Sequence, residues 1–156
     1  DQARQRNVLM VYVSLHGAVD GQNQACLLTP ECNTTNSSTW LPVSAMLRQL
    51  RDSLPENMLK VVVFDSTKQE TNWSLGLTYN AFADRLADAV SAAKVRNLVV
   101  FCASGSNEFA WTAPELRGSV FGHYFHRCRF RSWSGISLIT SISGSRGIAT
   151  TDSGRW

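Results

Sequence analysis

Residues 8 to 14 read Val-Leu-Met-Val-Tyr-Val-Ser, and two valine-rich runs of the same kind follow at Lys60–Asp65 and Leu98–Ala103. None contains an internal glycine or proline. Apolar runs without polar alternation suit strands buried on both faces, as in a parallel sheet. The segments between them each hold room for a helix. Strand, helix, strand, helix, strand implies parallel strands joined by right-handed crossovers. This pattern constrains the chain more than any other feature: it predicts an α/β fold.

The connecting segments fill in that scheme. Val19 to Ser38 is rich in Asn, Thr and Ser and reads as a polar loop. A helix is expected near Pro42–Leu54, with Pro42 at the first helical position and Val43, Met46, Leu47, Leu50 and Leu54 as its apolar stripe. Ser66 to Thr78 reads as loop. A second helix near Asn80–Lys94 buries Phe82, Leu86, Ala89, Val90 and Ala93. Gly105 to Arg117 is expected to be loop, and a third helix to start at Ser119 with Val120, Phe121, Tyr124 and Phe125 inward. Ile136–Ile142 could form a strand.

The composition changes near Arg127. Residues 127–156 lose any clean period and turn to Arg, Ser and Gly. They read as an atypical tail, disordered or frameshifted, beyond a main domain of residues 1–126. Five arginines against one aspartate place the positive charge of the +3 chain in that tail. The main body has no basic patch interleaved with aromatics, so no nucleic-acid partner is expected. No apolar run approaches the roughly 20 residues of a membrane span, and nothing at the start resembles a signal peptide. A cytoplasmic location is therefore expected. The chain enters its first strand almost at once, which suggests that upstream sequence is missing.

The four cysteines, Cys26, Cys32, Cys102 and Cys128, form no CxxC pair and no metal-ligand spacing. No metal or other cofactor is expected. Cys26 and Cys32 could pair in an oxidising compartment, but reduced thiols are the simpler reading.

The candidate chemistry follows the strands. His16 and Gly17 come directly after the first, where ligands bind in open α/β sheets. Taken alone, that stretch reads more simply as a loop histidine after a core strand. Val-Val-Val-Phe-Asp65-Ser66-Thr67 ends the second strand. Ala103-Ser104-Gly105-Ser106-Asn107-Glu108-Phe109-Ala110-Trp111 follows the third, with Gly118-Ser119-Val120-Phe121 beyond it. In order and spacing, these pieces resemble the caspase and metacaspase superfamily, especially its bacterial caspase-like members, over roughly residues 7–126. The resemblance implies a three-layer αβα sandwich with a mostly parallel sheet, truncated here because the family's first strand and helix have no counterpart.

It also implies roles. His16 matches the catalytic histidine, which assists acyl transfer and protonates the leaving amine. Gly17 matches the glycine whose N–H helps hold the oxyanion. Asp65 matches an acid that favours a basic residue before the scissile bond, beside Ser66 in the substrate site. Trp111 matches a tryptophan lining the substrate pocket. Thr112 stands where caspases proper carry an aspartate-recognising arginine, so aspartate specificity is not expected.

Thr67 departs from the family at the position of its nucleophilic cysteine. An alcohol is essentially un-ionised near neutral pH, and threonine nucleophiles are usually chain-terminal. Threonine is also stiff at its β-branch. The resemblance therefore implies a caspase-like cysteine endopeptidase domain impaired in catalysis, with a peptide or protein as ligand. One alternative is a non-catalytic peptide-binding or scaffold module. Another is a different hydrolase using Cys102 or Ser104. Cys102 sits inside the third strand and reads as a buried structural thiol. His123 and His126 read as surface or cap residues, and Trp40 and Trp73 as loop anchors.

Overall fold

The structure is a computed structural model that describes residues 8–66, 70–72, 77–116, 118–132 and 138–143. For 70–72, 77–79, 128–132 and 138–143 the backbone alone is described. Thr67 and Trp73 lie outside the described residues. In chain order the strands are β1 (Val8–Ser14), β2 (His16–Val19), β3 (Ala25–Leu28), β4 (Leu41–Pro42), β5 (Leu59–Phe64), β6 (Glu70–Asn72), β7 (Leu77–Tyr79), β8 (Leu98–Cys102), β9 (Thr112–Ala113), β10 (Gly118–Ser119) and β11 (Leu138–Ser143). The helices are α1 (Val43–Ser53), α2 (Phe82–Ala93) and α3 (Val120–Ser132).

The three apolar runs form the middle and one side of a four-stranded sheet, in the order β11-β1-β5-β8. Its described pairings are parallel: β1 with β11, β1 with β5 and β5 with β8. Val8 lies opposite Leu59, and Lys60 opposite Leu98. Among the described residues the fold is thus mixed α/β with a mostly parallel sheet and three helices, as the strand-helix alternation predicts.

Side-chain alternation divides the core. Val13, Val62 and Phe64 pack with Val43 and Leu47 of α1 and Phe82 and Leu86 of α2. Met10, Tyr12, Val61 and Val63 form a second cluster, against which Phe121 and Phe125 of α3 pack. Topology explains the division. The chain steps from β1 to β5 to β8 in one direction, then returns past them to β11. A right-handed crossover in the reverse direction carries its helix to the opposite face.

Several boundaries differ from the sequence reading. Pro42 is the residue before α1, extended at φ −66° and ψ 131°, and pairs with Cys26 in the β3–β4 ladder. The polar stretch 19–38 contains β3, which pairs antiparallel with β2 around a turn where Asp20 accepts the N–H groups of Gln22 and Gln24. β6 and β7 pair antiparallel between Ser66 and Asn80, and β9 stands inside the expected 105–117 loop. α3 continues past Arg127, and β11 occupies most of the Ile136–Ile142 stretch.

Two burial expectations fail. Tyr124 is 60% exposed rather than inward. Val99 and Phe101 are 40% and 44% exposed, and Cys102 is only half-buried. β8 ends the order of described strands, and the aromatic residues of α3 lie mainly over β1 and β5. At the amino ends of the strands, Lys60 is almost wholly buried. Its ammonium donates to the carbonyls of Pro55 (2.8 Å), Met58 (3.1 Å) and Arg96 (3.3 Å), which satisfies all three protons.

Candidate functional site

The carboxyl ends of β1 and β5 carry the candidate site. Asp65 continues the sheet for one residue beyond β5: its N–H donates to the Val13 carbonyl at 2.8 Å. The side chain is 3% exposed. Its Oδ2 accepts hydrogen bonds from the Tyr12 phenol and the Ser119 hydroxyl. Ser119 in turn accepts the Gly122 N–H at 2.8 Å, as a residue capping a helix start does. One carboxylate oxygen thus joins β1, β5 and the start of α3.

Gly122 permits this convergence. A Cβ there would lie 2.5 Å from the Tyr12 oxygen and 2.8 Å from both Asp65 Oδ2 and Ser119 Oγ. Any side chain would drive the three groups apart. Burial, and then the hydrogen bond and charge of Asp65, push the Tyr12 phenol well above its ordinary pKa. Tyr12 therefore remains a proton donor across the physiological range.

Asp65 Oδ1 has no hydrogen-bond partner among the described residues, and neither do Ser66 Oγ and Ser104 Oγ. All three are buried just beyond the carboxyl ends of β5 and β8. A buried polar atom left unpaired costs about 1–3 kcal/mol. Three such atoms lie at one end of the sheet, and the described residues supply no partner for them.

A cavity of about 390 Å³ opens beside Asp65. Ser14, Leu15, His16, Asp65, Leu28, Thr29, Pro30, Cys32 and Thr34 line it. The segment beyond Leu28 is held by its own hydrogen bonds. Cys32 N–H donates to Thr29 O at 3.1 Å, Asn33 N–H to Thr39 Oγ1 at 2.9 Å, and Trp40 Nε1 to Asn33 O at 2.9 Å. Trp40 is thus a loop anchor, as its setting in the sequence suggests.

His16 opens β2 opposite Leu28 and is exposed toward this cavity. The structure therefore brings together His16 and Asp65, two of the residues singled out from the sequence. Gly17 is buried opposite Leu27, and a Cβ there would lie 2.7 Å from the Phe82 ring. Close packing on α2 accounts for a glycine at that position. Ser66 is buried and is not among the lining residues. Trp111 is 74% exposed and stands outside the lining, with its carbonyl accepting the Val120 N–H at 2.9 Å. Cys102 and Ser104 do not line the cavity either.

No family model, curated protein or solved structure matches this chain. Among the described residues no cluster of His, Cys, Asp and Glu could hold a metal ion. Among them, too, no helix is long and apolar enough to cross a membrane.

The residues that sequence reasoning missed are Tyr12, Ser119, Gly122 and Cys32. Tyr12 carries a hydroxyl within an otherwise apolar strand, a signal that a buried partner must exist. Nothing in the sequence points from Tyr12 to Asp65, which lies 53 residues away. Cys32 sits in a stretch whose polarity suggested only a loop.

Proposed function

We propose that this chain is a caspase-like peptidase domain impaired in catalysis, built as a three-layer αβα sandwich, whose cleft binds extended peptides carrying a basic side chain. One observation carries the reading: His16 and Asp65, just past adjacent parallel strands, line a single cavity. The Asp65 carboxylate has one oxygen held by two hydroxyls and one without a partner among the described residues. A guanidinium or ammonium group would complete it. By the family resemblance Gly17 would serve as the oxyanion-side backbone donor, and Ser66 and Trp111 would be further substrate contacts, although none of the three is in the cavity lining. Thr67, at the nucleophile position of the resembled family, makes the domain a binder of peptides rather than an efficient hydrolase.

Binding is tested with fluorescent hexapeptides that differ at one position, Arg, Ala or Asp. The Arg peptide should bind most tightly, and Asp65→Asn should bring its affinity down to that of the Ala peptide. A charged pair in such a setting is worth roughly 1.5–3 kcal/mol, or about ten- to hundredfold in affinity. Equal affinity for the three peptides would remove the assignment of Asp65 as a specificity carboxylate.

A further inference from the structure

A second, smaller cavity of about 70 Å³ lies at the amino ends of β5 and β8, the end of the sheet away from the cleft. Four cations line it: Arg51, Lys60, Lys94 and Arg96. Among the described residues Glu56 is the only carboxylate in the lining. Connectivity gathers these groups. α1 ends at Ser53 and α2 at Ala93, and the chain returns from each to the sheet at this point. Hydrogen bonds stitch the two returning segments together. Asn97 Nδ2 donates to the Glu56 carbonyl at 2.8 Å, and the Lys60 N–H to the Asn97 carbonyl at 2.8 Å.

Charge is out of balance at this junction. Arg51 Nε pairs with Asp52 at 2.9 Å, and Arg96 Nη1 with Glu56 at 3.0 Å. Neither Lys60 nor Lys94 has a carboxylate partner among the described residues. Lys60 is 1% exposed, and its protons go to three neutral carbonyls. Those carbonyls satisfy the donors without cancelling the charge, and a buried charge is ordinarily matched by an opposite one. The carboxyl ends of α1 and α2 offset part of the surplus, at about half a negative charge each. With two carboxylates against four cations, the junction stays positive. Donors are also left over. Arg51 uses Nε on Asp52 and Nη1 on the Ala93 carbonyl, and Arg96 uses Nη1 on Glu56, so both guanidinium groups keep N–H groups to offer. Lys94 is exposed, and its ammonium has no acceptor among the described residues.

We propose that this junction binds a small tetrahedral oxyanion of the phosphate class, either the free ion or the phosphoryl group of a monoester. Lys94, Arg51 and Arg96 supply the hydrogen bonds, and the buried charge of Lys60 adds to the attraction. The cavity admits one such group and falls far below the roughly 300 Å³ of sites for larger ligands. The site makes no use of the cleft at the other end of the sheet, so it and the peptide reading can fail separately.

The test titrates the full chain with inorganic phosphate and with methyl phosphate at constant ionic strength, following backbone amide chemical shifts. Saturable shifts should centre on residues 51–60 and 93–97. Tighter binding of inorganic phosphate assigns the site to the free ion, and tighter binding of methyl phosphate assigns it to an ester's phosphoryl group. Chloride, a single charge without oxygens, should bind about tenfold more weakly than either. Lys94→Gln should weaken phosphate binding by about tenfold. Arg127→Gln removes an exposed cation of α3 outside the cavity and should change binding by less than about twofold. The urea midpoint of each variant checks that the fold is kept. Should Lys94→Gln fail to fold, the shift map of the unaltered chain still decides. Shifts that do not saturate, saturable shifts centred elsewhere, or equal losses from Lys94→Gln and Arg127→Gln would overturn the proposal.

Discussion

Asp65 is the residue on which the two halves of the core depend. Its backbone extends the β1–β5 pairing, while its side chain collects hydroxyls from β1 and from the start of α3. Removing the Tyr12 hydroxyl should therefore cost more than a surface hydrogen bond. Tyr12→Phe keeps the ring against Phe125, at 6.0 Å between centroids, and deletes one bond to a charged acceptor. The expected loss is about 1.5–3 kcal/mol, read as a lower urea midpoint with an unchanged slope. The pH dependence has a definite sign. The folded phenol is raised above its ordinary 10.0, so its contribution is intact below about pH 10 and is lost as pH rises beyond that. Cys26, raised from 9.0 to about 11, also loses stability on the alkaline side. The Tyr12→Phe variant should consequently show a shallower fall in stability above pH 10 than the parent chain. An identical alkaline slope in both would remove Tyr12 as the cause. At this scale the sequence was least legible. Asp65 stood out by its position after a strand, but its partners come from residues 53 and 54 positions away. No periodicity reports such distant meetings.

Among the elements, β5 and β8 look alike as sequence and behave differently as structure. Both are valine-rich runs with an aromatic at or next to the last position, and both read as doubly buried strands. In the sheet, β5 lies between β1 and β8 and is buried along Lys60–Phe64, whereas β8 alternates between half-buried and exposed residues. Local pattern reports how apolar a strand is, not how many neighbours cover it. The helices were legible for the opposite reason. Phe82, Leu86 and Ala93 recur at helical spacing and are buried as a single stripe. Only the α3 stripe was misdrawn, because Phe121 and Phe125 make its contact while Tyr124 turns outward. The contrast between β5 and β8 is measurable. Phe64→Ala should destabilise by about 3–5 kcal/mol, because a fully buried ring leaves a cavity. Phe101→Ala should cost markedly less, since nearly half of that residue is already in water. Comparable losses from both substitutions would mean that the outer face of β8 is covered in solution.

At the scale of the molecule, the strand order puts residues 16 and 65 in the lining of one cavity, and this bears on Thr67. Adjacent strands lie about 4.8 Å apart, so groups just past β1 and β5 can reach one another across the cavity mouth. Thr67 itself lies outside the described residues, two positions beyond Asp65. The proposed function makes a direct demand on it. The chain as it stands should not cleave peptides, because Thr67 rather than a cysteine holds the nucleophile position of the resembled family. Thr67→Cys should supply a thiol at that position, and pairing with the His16 imidazole, as the proposed function requires, would favour its thiolate. The variant should then cleave slowly after Arg or Lys, where Asp65 can pair with the basic side chain, and not after Asp, because Thr112 offers no cation. The measurement uses matched fluorogenic peptides differing only at that residue, with the Thr67→Cys/His16→Ala double variant as control. Loss of cleavage in the double variant would tie the gained activity to the histidine. Cleavage that survives His16→Ala, or that follows Asp as readily as Arg, would separate the cavity from the chemistry proposed for it. Labelling by a thiol-reactive peptide ketone gives a second readout when turnover is slow. Modification of the introduced thiol in the Thr67→Cys variant, competed by an Arg peptide but not by an Asp peptide, is the expected pattern, because capture needs only one attack rather than a complete catalytic cycle.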